Sequence, residues 1–212
     1  MAFALSLTRK EARGSLLKPL LAGCFALFLA LTAAASADAT PDWLPGLLEK
    51  EQLTVVVTDS GLGGLSVVAD AAEKLREHRG FRTVQLVFVN ALFTNEGGYT
   101  SLTSRDAKLA VLDSALNAMH ERYAPDVLLV ACNTLSVLVP DTPFDQAATV
   151  PLVGIVELGV EQIAEQLKSN PDGMNILLGT QTTVDEGTHA SLLEERGFGS
   201  ERLLPQACPQ LT

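Results

Sequence analysis

Between residues 53 and 205 short apolar runs alternate with helix-spaced patterns, and this alternation constrains the fold more than any other feature of the chain. The runs cover residues 53–58, 84–89, 127–131, 152–156 and 174–178, and a sixth is expected to start within 202–205. They are continuous and rich in β-branched residues rather than alternating with polar ones, which is the pattern of strands buried on both faces. Residues 63–78 place Leu65, Val68, Ala69, Ala72 and Leu75 at helical spacing, and residues 104–123 do the same with Leu109, Leu112, Leu116 and Met119. Further helices are expected over 160–167 and 184–196. Strand–helix alternation of this kind predicts an α/β fold, a parallel sheet flanked by helices. The two halves share the rhythm without a residue-level repeat, which is compatible with a pseudo-duplicated architecture.

Ligands of parallel α/β sheets bind beyond the carboxyl ends of the strands. Three of the predicted strand ends carry small polar or glycine-rich chemistry: Asp59-Ser60-Gly61, Cys132-Asn133-Thr134 and Gly179-Thr180. The loop from Asp59 to Gly64 follows a strand and opens a helix. Its glycines let a ligand approach the backbone, and its N–H groups suit an anion, a carboxylate as well as a phosphate. It has neither the Gly-Lys-Ser/Thr of a P-loop nor dinucleotide-binding spacing. A tight strand–helix turn explains the same glycines without a ligand. Cys132 also lies between a strand and an expected helix start, a place that favours thiolate. A small buried core residue is the plainer account of a lone cysteine. Asp59 cannot lower a thiol pKa by its charge, and its expected part is to accept a proton or orient the thiol. Asn133 and Thr134 offer neutral hydrogen bonds to an ammonium or a carboxylate. His120 and His189 fall in helical patterns and read as surface or packing residues, and His78 reads as the end of a helix.

The first residues read as an export leader. Arg9, Lys10, Arg13 and Lys18 precede an uncharged apolar stretch over 20–35, and Ala35-Ser36-Ala37 fits a cleavage site. An exported, periplasmic protein with no membrane span after cleavage is the expectation. An uncleaved anchor is the rival reading. A lipoprotein is another, through Leu21-Ala22-Gly23-Cys24, although most of the apolar stretch follows Cys24. The net charge of −10 argues against a nucleic-acid partner, which needs a basic face. Of the three cysteines, Cys132 and Cys208 lie beyond the leader. An oxidising compartment would allow them to pair, whereas the position of Cys132 favours a free, reactive thiol.

The segments TDSGLGGLSV, LLVACNTLSV, PLVGIVELGV, LLGTQTTVDEG and QACPQL, taken together and in this order, resemble the cofactor-independent aspartate/glutamate racemase family, the glutamate racemases in particular. The resemblance runs from about Leu53 to the last residue. It implies two similar α/β domains with parallel sheets and an active site in the cleft between them. It implies an isomerase that uses neither pyridoxal phosphate nor a metal. Two cysteines flank the α-carbon of a small acidic amino acid or related carboxylate, one removing the proton and the other returning it on the opposite face. By this resemblance Cys132 is the first thiol, Asp59 and Ser60 are the pair beside it, and Asn133, Thr134 and Thr183 contact the substrate. A homodimer is an expected assembly.

The sequence also departs from that pattern. The family's Pro-Tyr-Gly segment is replaced by VNALFTNEGGYTSL, in which Tyr99 is the candidate counterpart. The second catalytic cysteine belongs to a Cys-Thr-His motif that does not occur in residues 1–212. Cys208, in Ala-Cys-Pro, matches a segment upstream of it. The expected organisation is therefore a leader over 1–37, a linker over 38–51, a first α/β domain over 52–156 and a truncated second domain over 157–212. The alternatives are another reaction of the same superfamily on an acidic substrate, a decarboxylation or isomerisation, and a non-catalytic periplasmic binder of acidic ligands.

Overall fold

The computed structural model describes residues 2–8, 41–77, 80–92, 97–147 and 149–208. The expected cleavage site, Cys24 and His78 lie outside the described residues, as does most of the leader. Residues Ala2–Thr8 form a strand, β1. There follow α1 (Trp43–Leu48), β2 (Gln52–Asp59), α2 (Gly64–Glu77), β3 (Thr83–Asn90), α3 (Arg105–Tyr123), β4 (Val127–Val130), a single turn α4 (Asn133–Ser136), α5 (Pro143–Ala147) and β5 (Leu152–Gly154). The chain continues through α6 (Val156–Ser169), β6 (Asn175–Gly179), α7 (Gln181–Glu186), α8 (Thr188–Glu195) and β7 (Leu203–Ala207).

The larger sheet has the order β1-β3-β2-β4-β5. Strands β2 to β5 are parallel throughout, and β1 runs antiparallel along the outer edge of β3. Side chains alternate across a strand, so neighbouring residues enter different layers. Val55 and Val57 of β2 join Val84, Leu86 and Phe88 of β3 in a core covered by Val68, Ala71, Ala72 and Leu75 of α2 and by Leu44 and Leu47 of α1. Val56, between them, joins Val87 and Leu128 in the opposite core, under Leu112, Leu116 and Met119 of α3. This second core continues without a break into Val160, Ala164 and Leu167 of α6, Leu193 of α8 and Leu203 of β7.

Strands β6 and β7 form a separate parallel pair with Ile176 opposite Leu204. One face of the pair packs inward through Leu177 and Leu203. The other face leaves Met174, Ile176, Leu178 and Leu204 more than half exposed. A parallel sheet is normally covered on both faces, so this bare side is the exception in the fold.

Three expectations change. The linker over 38–51 contains α1, whose Leu44 and Leu47 are fully buried. Pro45 and Gly46 read as breakers, but Pro45 lies in the first turn, where its missing N–H has no intrahelical acceptor to lose. The helix expected over 184–196 is two helices, α7 and α8, separated by Gly187 at φ 64°. The helix expected over 160–167 starts earlier, at Val156. The long helix α3 begins as its sequence suggests: Ser104 caps it by accepting a hydrogen bond from the Ala107 N–H at 3.1 Å.

His189, in the first turn of α8, is 2% exposed, and its Nδ1 has no partner. Burial holds its pKa below the ordinary histidine value. The folded state therefore keeps the ring neutral, while the unfolded chain takes up a proton near pH 6.5. Stability should be level above about pH 6.5 and fall by up to about 1.4 kcal/mol per pH unit below it, down to the folded-state pKa. Urea unfolding at pH 7.5 and 5.5 measures this, and His189→Leu should flatten the acid side. An equal acid loss in that variant would place the effect elsewhere.

Candidate active site

The site is assembled where β2, β4 and β6 end. Strand β2 delivers Asp59, buried at its last position. Both carboxylate oxygens are used within the loop that follows: Oδ1 accepts from the Gly61 N–H at 2.7 Å, and Oδ2 accepts from the Gly64 N–H at 2.6 Å. Asp59 thus orders the glycine loop from inside, and the hydrogen bonds of its carboxylate go to that loop rather than to Cys132. This ordering directs the next residue. Ser60 Oγ lies 3.1 Å from Cys132 Sγ.

Cys132 follows β4 and stands at the N-cap of α4, without a side-chain capping bond. A single turn brings only a few oriented N–H groups to the thiol, far from the full dipole of a long helix. Cys132 and Cys208 are both free, half-buried thiols. The Cys208 N–H donates to the Gly179 carbonyl at 2.8 Å, and its thiol points back to the Gln206 carbonyl at 3.8 Å.

Three threonine hydroxyls join the two sheets. Thr134 Oγ1 lies 2.8 Å from Thr180 Oγ1 and 3.4 Å from Thr183 Oγ1, and Thr180 and Thr183 are 3.1 Å apart. Thr180 also caps α7 by accepting from the Thr183 N–H. Two further contacts brace this junction. Lys108 Nζ donates to Thr182 Oγ1 at 2.8 Å, and Arg105 binds both oxygens of Glu186 at 2.7 and 3.1 Å.

Tyr99 occupies a short turn over Tyr99–Ser101. It is 2% exposed, and its hydroxyl has no hydrogen-bond partner among the described residues. Its pKa is raised well above the ordinary phenol value, first by burial and then by the charge of Cys132. The phenol therefore stays neutral beside the thiol and keeps a proton to donate. A buried hydroxyl without a partner costs about 1–3 kcal/mol. Tyr99→Phe should accordingly stabilise the ligand-free chain by about 1 kcal/mol, read as a higher urea midpoint. A lower midpoint would mean that the hydroxyl is satisfied in solution.

Of the residues singled out from sequence, Cys132 and Ser60 meet directly, and Thr134 and Thr183 meet both directly and through Thr180. Asn133 is half-buried at the start of α4. Asp59 supports the loop behind Ser60. Sequence reasoning placed Thr180 at a strand end without assigning it to the site, and it passed over Asn90. The repeated Thr of Thr180-Gln-Thr-Thr183 was the available signal for the first. For Asn90 the signal was a lone polar residue ending an apolar strand. A cleft of about 380 Å³ bordered by Trp43, Val139, Asp145, Val153, Glu157 and Leu192 contains none of these groups. No group of three or more metal-ligating side chains occurs among the described residues. No helix among them is long and apolar enough to cross a membrane.

No protein-family model matches the chain. It is 30% identical over 153 residues to a glutamate racemase from Chlorobaculum tepidum, covering 72% of this chain and 51% of that protein. It is 28% identical over 156 residues to one from Nitratiruptor sp., covering 72% and 55%. Among solved structures, the glutamate racemase from Aquifex pyrophilus aligns with a TM-score of 0.61 at 24% identity, over 76% of this chain and 57% of that one. The Campylobacter jejuni glutamate racemase aligns with a TM-score of 0.54 at 25% identity, over 73% and 56%. The chain spans about half the length of the curated relatives it matches.

Proposed function

Because the chain is a relative of the glutamate racemases in sequence and in fold, we propose that its site moves a proton at the α-carbon of an acidic amino acid, glutamate first and aspartate second, with Cys132 as the acid–base group. The observation that carries this reading is the 3.1 Å contact between Ser60 Oγ and Cys132 Sγ at the carboxyl ends of β2 and β4. A thiolate has no proton to give, so in that state Ser60 must be the donor. The hydroxyl then stabilises the base before it meets the substrate. Thr134, Thr180 and Thr183 supply neutral donors for carboxylate oxygens, and Tyr99 adds one that has no other use in the free chain. Neutral donors suit a weakly acidic carbon, because they strengthen as charge builds on the substrate carboxylate.

Inversion needs a second acid on the opposite face of the α-carbon. The Cys208 thiol turns toward its own strand, and the second acid is supplied from outside residues 1–212. The leader pattern over residues 1–37 adds that the protein works outside the cytoplasm. The test is protection of the thiol in a chain carrying Cys24→Ser and Cys208→Ser. D- and L-glutamate should each slow alkylation of Cys132 by iodoacetamide, and lysine should not. Equal alkylation with and without D- and L-glutamate and aspartate would reject the acidic amino acid as the ligand.

A further inference from the structure

We propose that Asn90 is a positioning residue of this site: its side-chain amide ties together the two loops that flank the Cys132 thiol, and so fixes Ser60 against the sulfur. The inference rests on Cys132 being the reacting thiol, but it concerns a residue that touches no reacting atom.

Asn90 ends β3 opposite Asp59 of β2 and is 7% exposed. Each polar atom of its amide serves a different loop. Nδ2 donates to the Gly61 carbonyl at 2.7 Å, across the sheet end. Oδ1 accepts from the Leu92 N–H at 3.0 Å, at the start of the segment that leads to the Tyr99 turn. Gly61 is bonded directly to Ser60, whose hydroxyl meets the thiol. On the other side, the turn comes back over the same place, since a side chain on Gly98 would stand 3.6 Å from the Ser60 carbonyl oxygen. Asp59 holds the Ser60–Gly64 loop through its own N–H groups. Asn90 holds that loop from outside, through the Gly61 carbonyl, and is the side chain bonded to both loops. The two atoms demand an amide. A carboxylate is an acceptor only, so aspartate at this position would keep the Leu92 bond and set oxygen against the Gly61 carbonyl oxygen.

This difference separates a positioning role from a merely structural one. The measurement is the pH dependence of Cys132 alkylation in the full chain carrying Cys24→Ser and Cys208→Ser. Tyr99, the titratable group coupled to the thiol, stays neutral across the range, and the Asp59 carboxylate is bound within its own loop. Loss of the Ser60 donor should move the profile toward higher pH and slow alkylation near neutral pH. Asn90→Asp and Asn90→Ala should both show this shift, as should Ser60→Ala. The double variant Asn90→Ala/Ser60→Ala should shift no further than Ser60→Ala, because both act through one contact and neither adds a charge. Asn90→Asp keeps the turn bond and provides the reading should Asn90→Ala fail to fold. An unchanged midpoint in folded Asn90→Asp would overturn the proposal, and so would shifts that add in the double variant. Neither result depends on glutamate binding, so failure here is distinct from failure of the racemase reading.

Discussion

Replacing Cys132 by alanine should leave the fold intact and remove exchange of the glutamate α-proton with deuterated water, by about 10²–10⁴-fold, the usual worth of a positioned acid–base group. The fold should survive because the thiol makes no capping bond and is only half-buried. Its close polar contact is with Ser60, which stands on a loop already held by Asp59 and Asn90. The same experiment carries a second expectation. Residues 1–212 should exchange the α-proton without inverting the centre, since one thiol reaches one face. Following the α-proton by NMR alongside chiral chromatography of glutamate and aspartate separates the two. Full racemisation by residues 1–212, lost in Cys132→Ala, would show that the second acid lies within them. Exchange at the same rate in Cys132→Ala would remove the thiol from the mechanism.

Adding one methyl group at Gly64 should destabilise the chain by about 1–3 kcal/mol, the cost of overpacking a filled interior. A Cβ there would stand 2.9 Å from Phe88 Cε2 and 3.0 Å from Asp59 Cβ. Neither neighbour moves without cost. Phe88 is buried in the core between the sheet and α2, and Asp59 is fixed by two hydrogen bonds, one of them to Gly64 itself. Gly46 is the control, since a Cβ on it meets nothing within 4 Å. Urea unfolding of Gly64→Ala and Gly46→Ala should show a large loss in the first and a much smaller change in the second. Equal losses would mean that crowding at Gly64 does not set the cost, since helix propensity favours alanine at both positions. The Gly64 variant should also slow Cys132 alkylation, because the strain is relieved by moving Asp59 and with it Ser60.

The sheet was legible because burial on both faces writes itself into composition. Residues 53–58 and 84–89 are nearly unbroken apolar runs, and the structure forms strands over Gln52–Asp59 and Thr83–Asn90. The helix 104–123 was legible because Leu112, Leu116 and Met119 recur at helical spacing, and all three are buried. What escaped the reading depends on contacts far apart in sequence. Pro45 and Gly46 look like linker residues until Leu44 and Leu47 find the core beside α2. Asp59 looked like a partner for the thiol, because a string of residues does not show which way a carboxylate turns. Its two short bonds to Gly61 and Gly64 turn it inward. Asn90 has no periodicity or motif to mark it, and only the pairing of β2 with β3 brings it to Gly61. The distance between Thr134 and Thr180 likewise belongs to the packing of one sheet against another, and no spacing along the chain encodes it.

The three threonines form a closed ring in which every hydroxyl can be both donor and acceptor. Such a ring has two senses of circulation. Passing from one to the other rotates three O–H bonds and moves no heavy atom. A site built this way has no fixed polarity at its centre. Turning a proton outward opens one of the three contacts, so an arriving acceptor exchanges one bond of the ring for its own. Mirror-image ligands ask for that freedom, because reflection exchanges the places where hydrogen-bond donors are needed. The ring leaves the junction of the two sheets undecided between them.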